Sequence, residues 1–204
     1  MRIIAGKHRH RVLLAPEGRT VRPTSDRARE SVFDILAHGR FSEQDACLDA
    51  MVLDAFAGTG AFGLEALSRG ARHVVFIEKD REARGSLQKN IAALGETAHS
   101  AIVNGDATRP PRATGACSLV FLDPPYDENL AAPALKAIAQ SGWIADGALV
   151  VVEIAAKEDL AAPEKFEPLD ERRYGAAKFV FLRYAPSPQP SPRRGEGGTR
   201  AAGG

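Results

Sequence analysis

The apolar residues of this chain alternate between short continuous runs and stretches in which they recur every three or four positions. Continuous runs are typical of strands that are buried on both faces, and they occupy residues 51–53, 74–77, 102–103, 119–122 and 149–152. A helical spacing lies between them, at Phe62 with Ala66 and Leu67, at Leu87 with Ile91 and Leu94, and at Leu135 with Ile138. The alternation of strands and helices predicts a mostly parallel sheet covered on both faces.

The N-terminal residues follow a different pattern. Residues 2–6 and 11–14 predict a β-hairpin with a basic tip between them, which would act as a finger. The apolar spacing in residues 28–36 then predicts a helix. Thr24 or Ser25 is expected to cap its first turn, because both side chains carry a hydroxyl that can accept from a free backbone N–H.

The C-terminal part predicts an antiparallel closure of the sheet followed by a tail. Residues 166–174 and 178–184 have the composition of two strands joined by a tight turn. Residues 185–204 are rich in Pro, Gly and Arg and cannot bury a core, so we expect them to be disordered. We therefore divide the chain into a basic hairpin and helix at 1–40, a domain with a seven-stranded sheet at 41–184, and the tail.

Composition limits the class of protein. The 204 residues are 44% hydrophobic, which suffices for one α/β domain. Cys47 and Cys117 have neither the number nor the spacing of a disulfide scaffold or a metal site, so we expect no metal. No apolar run approaches the roughly 20 residues that span a membrane. A monomer in the cytoplasm, without a membrane partner, is the expectation.

The net charge of +1 hides an uneven distribution of charge. Residues 1–29 carry eight Lys or Arg and two acids, a local charge of +6, so the remaining residues sum to −5. Such a leader predicts a phosphate-binding face, although a merely solvated face, or pairing of Arg27 or Arg29 with a neighbouring acid, is the alternative. The candidate RNA-binding residues are Arg2, Lys7, Arg9, Arg11, Arg22, Thr24, Arg27 and Arg29.

The first apolar run leads directly into a glycine-rich turn, Asp54-Ala55-Phe56-Ala57-Gly58-Thr59-Gly60. Glycine lets the backbone approach a ligand closely, and the helix that follows leaves free N–H groups. Asp54 suits the cationic methionyl part of S-adenosylmethionine and would repel a pyrophosphate. Two alternatives stay open: a plain connecting turn, and a dinucleotide fingerprint in which Glu78 follows Gly58 by about 20 residues.

Acids also follow the second and third apolar runs. Glu78 comes directly after residues 74–77, where a carboxylate can accept from both ribose hydroxyls, and Asp106 follows the third run and is a candidate partner for an adenine amine. The carboxyl ends of parallel strands are where open α/β sheets bind ligands. The candidate cofactor-binding residues are Asp54, Phe56, Ala57, Gly58, Thr59, Gly60, Glu78, Lys79, Asp106 and Ala107.

The fourth run ends in a proline motif, Asp123-Pro124-Pro125-Tyr126, whose four residues are the candidate catalytic residues. The prolines make the backbone rigid and remove two N–H donors. An aromatic amine is a poor nucleophile, so an enzyme must hold its hydrogens and aim its lone pair. Asp123 and the carbonyl of Pro124 could accept those hydrogens, while Tyr126 stacks on an extruded base.

These motifs together resemble the bacterial RsmD-type methyltransferase family over most of residues 1–184. Besides the glycine turn and the proline motif, the resemblance rests on Arg2-Ile3-Ile4-Ala5-Gly6, Arg22-Pro23-Thr24-Ser25-Asp26-Arg27-Ala28-Arg29-Glu30, residues 63–70, and Gly142-Trp143-Ile144. The resemblance implies a class I, Rossmann-like methyltransferase sheet with a C-terminal antiparallel strand and S-adenosylmethionine as donor. It also implies N2 of one guanine in 16S ribosomal RNA, within the small ribosomal subunit, as the methyl acceptor.

Two other functions remain open from the sequence. An adenine-N6 DNA methyltransferase would use the same proline motif but would usually need a separate region to read its target. A non-catalytic nucleotide-binding factor for ribosome assembly would keep the glycine turn and the basic leader, and it would tolerate loss of Asp123 and Tyr126.

Overall fold

The computed structural model describes residues 1–15, 25–38, 41, 44–126 and 128–185 of the chain. Arg22, Thr24 and nearly all of the expected tail lie outside these residues. The helices are α1 (Asp26–Ala37), α2 (Ala61–Ser68), α3 (Arg81–Leu94) and α4 (Ala131–Gln140). The strands are β1 (Met51–Ala55), β2 (His73–Glu78), β3 (Ser100–Asn104), β4 (Cys117–Leu122), β5 (Ile144–Ala155), β6 (Phe166–Tyr174) and β7 (Ala177–Tyr184).

In the described part of the chain, the strands form one seven-stranded sheet in the order β3-β2-β1-β4-β5-β7-β6. Strands β1 to β5 pair in parallel, and β7 runs antiparallel to both β5 and β6. This confirms the predicted mostly parallel seven-stranded sheet with its C-terminal antiparallel strand. The strand order reverses at β1, between β2 and β4, so a ligand crevice is expected at the carboxyl ends of these strands.

Two apolar layers cover the sheet, because successive strand side chains point to opposite faces. Helices α1, α2 and α3 pack on one face, where the rings of Phe33, Phe62 and Phe121 meet with centroids 5.1–6.2 Å apart. Helix α4 and Trp143 cover the other face. Burial on both faces explains why the strands appear in the sequence as continuous apolar runs.

The N-terminal segment forms an antiparallel loop that lies against the domain and does not project as a finger. Among the residues described, it has one bridge pair, Arg2 with Val12, and a short 3-10 turn at Gly6–His8. The backbone N–H groups of Ile4 and Ala5 donate to the Glu65 carboxylate of α2 at 2.7 and 3.0 Å. The predicted hairpin of residues 2–6 and 11–14 is thus reduced to one bridge pair, and the segment docks on the domain.

Helix α1 begins where the sequence predicted. Ser25 is its N-cap, with its hydroxyl accepting from the backbone N–H of Ala28 at 3.1 Å. Asp26 lies in the first turn, where a negative charge favours the helix dipole. Ser25 and Ala28 line a cavity together with Tyr126, so the start of α1 lies near the proline motif.

Candidate active site

The glycine turn connects β1 to α2 in a conformation that requires glycine. Gly58 and Gly60 have φ of +55° and +86°, and Gly60 is the N-cap of α2. A Cβ on Gly60 would lie 2.5 Å from Cδ1 of Leu87, closer than packed atoms approach. The turn therefore presents bare backbone at the start of a helix, which is a suitable cradle for a nucleotide-like ligand.

Asp54 supports this turn from beneath. Its side chain is 2% exposed, and Oδ2 accepts from the backbone N–H of Gly63 at 2.8 Å. Burial raises the pKa of Asp54 to about 8, with the Gly63 hydrogen bond opposing the rise and the charge of Glu78 adding to it. The buried carboxyl group thus holds the start of α2 against β1, and it does not offer an exposed partner to the methionyl group that the sequence suggested.

Glu78 links the turn to the end of β2. Its Oε2 accepts from the N–H of Gly58 at 2.8 Å, and its Oε1 accepts from the N–H of Asp80 at 2.7 Å. These two bonds set the orientation of the carboxylate while each oxygen retains a further lone pair. The half-exposed Glu78 is therefore placed to accept from ligand hydroxyls beside the glycine turn.

Asp106 completes the crevice beyond β3. Its Oδ1 accepts from the backbone N–H and the hydroxyl of Thr108 at 2.9 and 2.8 Å, and Lys79 Nζ lies 3.5 Å from Oδ2. The N–H of Thr108 is the main cause that lowers the pKa of Asp106, and burial acts against it. Asp106 is therefore an ionised acceptor at neutral pH.

The candidate cofactor residues fit S-adenosylmethionine. The structure gathers them at the carboxyl ends of β1, β2 and β3, with buried Ala57, Thr59 and Ala107 as walls and Phe56 half-exposed. The glycine cradle, the oriented carboxylate of Glu78 and the anionic Asp106 match the amino acid, ribose and adenine portions of that molecule.

The proline motif follows β4 and lies directly beside the glycine turn. The N–H of Asp123 donates to the carbonyl of Ala55, at the end of β1, over 3.5 Å. Pro124 is buried, whereas Asp123 and Tyr126 are half-exposed and Pro125 is exposed. The structure thus brings the predicted catalytic residues to the same edge of the sheet as the predicted cofactor residues.

Glu153 is a functional candidate that the sequence interpretation missed. It lies in β5, is 3% exposed, and accepts from the hydroxyl of Tyr126 at 2.6 Å. The bond fixes the far end of the tyrosine ring. An acid directly after the apolar residues 149–152 was the available signal, because a carboxylate in a buried strand is costly without a partner.

A cavity of about 590 Å³ opens beside Tyr126 and Glu153. The start of α1 forms one wall, and the turn between β6 and β7 forms another. Arg27 belongs to the first wall and Arg173 to the second. The candidate catalytic tyrosine therefore lines the same cavity as Arg27 and Arg173, among the residues that the structure describes.

The candidate RNA-binding residues have different surroundings. Arg2 pairs with Asp26 at 3.3 Å, and Lys7 Nζ lies 2.7 Å from a carboxylate oxygen of Glu96, although both basic side chains stay more than half exposed. Arg11 donates to the carbonyl of Ala93 at 2.8 Å. Arg9 and Arg27 are also exposed. These five side chains remain accessible to a polyanion.

The structure corrects the prediction made for Arg29. Its side chain is 0% exposed, so the prediction that it contacts RNA is wrong. It donates to Asp26 at 3.1 Å and to the carbonyl of Arg2, and its Nε lies 4.0 Å from Glu65. Arg29 instead joins α1 to the N-terminal segment, because an arginine can satisfy several acceptors at once.

The sequence-based expectations also concerned metal ligands, membrane-spanning helices and the two cysteines. Within the described ranges, no group of three or more His, Cys, Asp or Glu side chains could hold a metal ion, and no helix is long and apolar enough to cross a membrane. Cys47 and Cys117 are buried. Burial raises the pKa of both thiols, that of Cys117 to about 12, so both are protonated at neutral pH.

Solved structures share this fold. A putative methyltransferase from Escherichia coli superposes with a TM-score of 0.76 at 35% identity, over 91% of this chain and 98% of that one. A putative methylase from Haemophilus influenzae gives a TM-score of 0.71 at 30% identity, over 91% and 99%. Fold and site together define a methyltransferase of class I, which uses S-adenosylmethionine as its methyl donor.

Sequence comparison identifies the family. The family model described as "Conserved hypothetical protein 95" matches residues 1–183, and this chain belongs to that family. A protein of Haemophilus influenzae named "Ribosomal RNA small subunit methyltransferase D" is 35% identical over 88% of this chain and 91% of its own length. Its namesake from Escherichia coli strain K12 is 40% identical over 75% and 74%. The RsmD-type resemblance is thereby confirmed.

Proposed function

We propose that this enzyme transfers a methyl group from S-adenosylmethionine to the exocyclic N2 of one guanine in the 16S rRNA of the small ribosomal subunit. It acts as a monomer in the cytoplasm. The observation that carries the proposal is the position of Asp123 and Pro124 beside the glycine turn, with Tyr126 held by Glu153 at 2.6 Å. The two sequence relatives support it, because their names assign them to ribosomal RNA of the small subunit.

The cofactor, when bound, supplies a methyl group made electrophilic by a positively charged sulfur. Glu78 accepts hydrogen bonds from the ribose hydroxyls, and Asp106 accepts one from the adenine amine. The turn at Gly58 and Gly60 lets the backbone approach the ligand. Asp54 keeps that turn in place through its bond to Gly63. The protein therefore contributes alignment and exclusion of water, which are the main sources of rate in an in-line transfer.

Asp123 and Pro124 act on the acceptor amine. The carboxylate of Asp123 and the carbonyl of Pro124 each accept one amine hydrogen, which aims the nitrogen lone pair across the crevice toward the glycine turn. As the nitrogen gains its bond to the methyl carbon, the bond from that carbon to the donor's sulfur would break and leave a neutral thioether, and the nitrogen would become positively charged and acidic. Asp123 is then the nearest base for the proton that must leave.

Tyr126 positions the base that carries this amine. Stacking of a nucleobase on an aromatic side chain contributes about 1–3 kcal/mol and needs the base to be turned out of its stack. The hydrogen bond to Glu153 restricts the tilt of the tyrosine ring. The exposed cations Arg2, Lys7, Arg9, Arg11 and Arg27 bind phosphates and supply affinity without choosing the sequence.

Methyl transfer to three substrates tests the proposal. Unmodified small subunits, free 16S rRNA and duplex DNA are each incubated with labelled S-adenosylmethionine, and the product nucleosides are separated. We expect N2-methylguanosine in the subunits from the native enzyme, and formation of it by Asp123→Ala at no more than about 1% of the native rate. N6-methyladenine in DNA would instead select the alternative enzyme, and cofactor binding without transfer to any substrate would select a non-catalytic factor.

A further inference from the structure

Residues at the start of α1 and residues around the turn between β6 and β7 both line the cavity beside Tyr126. The volume of about 590 Å³ lies within the range of about 300–1,000 Å³ that is usual for sites that bind small ligands. Tyr126 and Glu153 form part of the lining, so the cavity is continuous with the site where the methyl group is accepted. A nucleotide that stacks on Tyr126 would therefore extend between these two walls.

The lining has the charge that a phosphodiester requires. Arg27 comes from α1 and Arg173 from β6, and both side chains are exposed. Glu153 is the lining acid, and one of its oxygens accepts from the tyrosine hydroxyl. Ser25 and Ser31 add hydroxyl groups on the α1 wall. Two guanidinium groups from different elements, in a lining that also contains an aromatic ring, favour a ligand that combines a base with negative charge.

We propose that Arg173, near the end of β6, binds an RNA backbone phosphate adjacent to the target nucleotide, while Arg27 binds another phosphate from the α1 wall. This inference rests on the proposed function, and it extends the RNA contact from the basic leader to the C-terminal strand pair. A nucleotide turned out of its stack has one phosphate on each side. Arg27 and Arg173, which come from two different walls of the cavity, could each bind one of these phosphates.

The strand that carries Arg173 supplies a matched control. Side chains alternate along a strand, and the neighbouring Arg172 lies outside the cavity lining and pairs with Asp170 at 2.8 Å. Both arginines share the hairpin and the same formal charge. A loss that is specific to Arg173 therefore reports its position in the cavity.

Asp159, an acid influenced by the charge of Arg173, has another main partner. Asp159 takes its main hydrogen bond from Lys178, whose Nζ lies 3.0 Å from Oδ1. That bond is the main cause that lowers the pKa of Asp159, and the charge of Arg173 is a minor one. Asp159→Asn therefore serves as a second control, since it removes this acid and leaves the cavity wall intact.

The test measures binding of the full-length protein to small subunits and to free 16S rRNA over a series of salt concentrations. The variants are Arg173→Gln, Arg173→Lys, Arg172→Gln, Asp159→Asn and the pair Arg27→Gln with Arg173→Gln. For Arg173→Gln we expect about tenfold weaker RNA binding at low salt and a slope of log K against log salt that is shallower by about 0.7–0.9. The double variant should lose about twice that slope, and cofactor affinity should stay within about twofold.

Arg173→Lys should retain most of the slope, because it keeps the charge, and the Arg172→Gln and Asp159→Asn variants should match the native protein. The inference is overturned if Arg173→Gln keeps the native slope, if Arg172→Gln loses as much, or if Arg173→Lys loses as much as Arg173→Gln. A native protein that neither binds rRNA nor methylates it would instead overturn the proposed function, and the inference with it.

Discussion

Asp54 and Asp123 come from neighbouring strands of the sheet and have opposite surroundings. Asp54 lies within β1, paired in register with Phe121 of β4, whereas Asp123 follows the last residue of β4. The first carboxylate is 2% exposed and bonded to the backbone of α2. The second is half-exposed at the rim of the crevice.

Two positions along the strand direction separate the buried acid Asp54 from Asp123, the acid that we propose acts on the acceptor amine. An acid inside the sheet must find its partners within the protein, because burial without them is costly. An acid just beyond the last strand residue lies where the helices no longer cover the sheet. The two aspartates show that an acid near a strand end is enough to predict a site. Its position relative to the last strand residue then decides whether the carboxyl group is buried or faces the crevice.

The largest expected effect separates the two carboxylates by activity. Asp123→Ala should lower kcat by about 100- to 1,000-fold, the usual loss when a group that acts in the transition state is removed. Cofactor affinity, measured by calorimetry, should stay within about threefold. Glu128→Ala, an exposed acid in the following loop, serves as the control with native rates. Equal loss of cofactor binding and turnover would contradict the separate roles.

The next effect concerns stability. Asp54→Ala removes the acceptor for the N–H of Gly63 and should lower the free energy of unfolding by about 1–3 kcal/mol. Denaturant titration measures this loss. Cofactor affinity should fall as well, because the glycine turn loses its support. Retention of native stability by Asp54→Ala would show that the buried carboxylate does not hold α2.

The pH dependence of unfolding sharpens the same contrast. The pKa of Asp54 rises from its ordinary 3.8 to about 8 on folding, so the folded protein binds this proton more tightly than the unfolded chain does. Its contribution to stability is complete below about pH 4 and is lost as the pH rises toward 8. Asp54→Asn should remove this decline between pH 5 and pH 8, because Asn cannot ionise. An unchanged pH profile would show that Asp54 is ionised in the folded state.

A smaller effect is expected at the tyrosine. Tyr126→Phe and Glu153→Gln each alter the 2.6 Å hydrogen bond that orients the ring. One such bond contributes about 0.5–1.5 kcal/mol, so kcat/KM for subunits should fall by roughly two- to twelvefold. Tyr174→Phe, which also lines the cavity, is the matched control for loss of a hydroxyl. Native kcat/KM in both Tyr126→Phe and Glu153→Gln would remove Glu153 from the functional site.

The smallest effect concerns a third carboxylate, Glu96, which joins the N-terminal segment to the end of α3. Burial opposes its ionised form, but hydrogen bonds from Lys7 and His8 outweigh burial and hold its pKa below the ordinary 4.5. Its contribution is therefore present at neutral pH and is lost as the pH falls through that lowered pKa. Glu96→Gln should cost about 0.5–1 kcal/mol at pH 7, since Lys7 is half-exposed. Faster hydrogen exchange of backbone amides in residues 1–15 would measure the weaker docking of the N-terminal segment on the domain.

Much of the architecture followed from local sequence signals. The continuous apolar runs predicted β1 to β5, and Ser25 predicted the start of α1, because strand burial and helix capping depend on residues close together in the chain. The glycine turn and the proline motif also followed from sequence. Each motif directly follows a strand, and carboxyl ends of parallel strands share one edge.

The sequence by itself thus determined the class of fold and the two motifs of the site. The tertiary structure decided which charged groups reach that site: Arg29 is buried against Asp26 and Glu65, Asp54 supports α2, and Glu153 and Arg173 line the cavity. These outcomes depend on contacts between residues distant in the chain, such as Tyr126 with Glu153. The residues adjacent to a charged side chain in the sequence do not determine whether packing buries that side chain or leaves it facing a ligand.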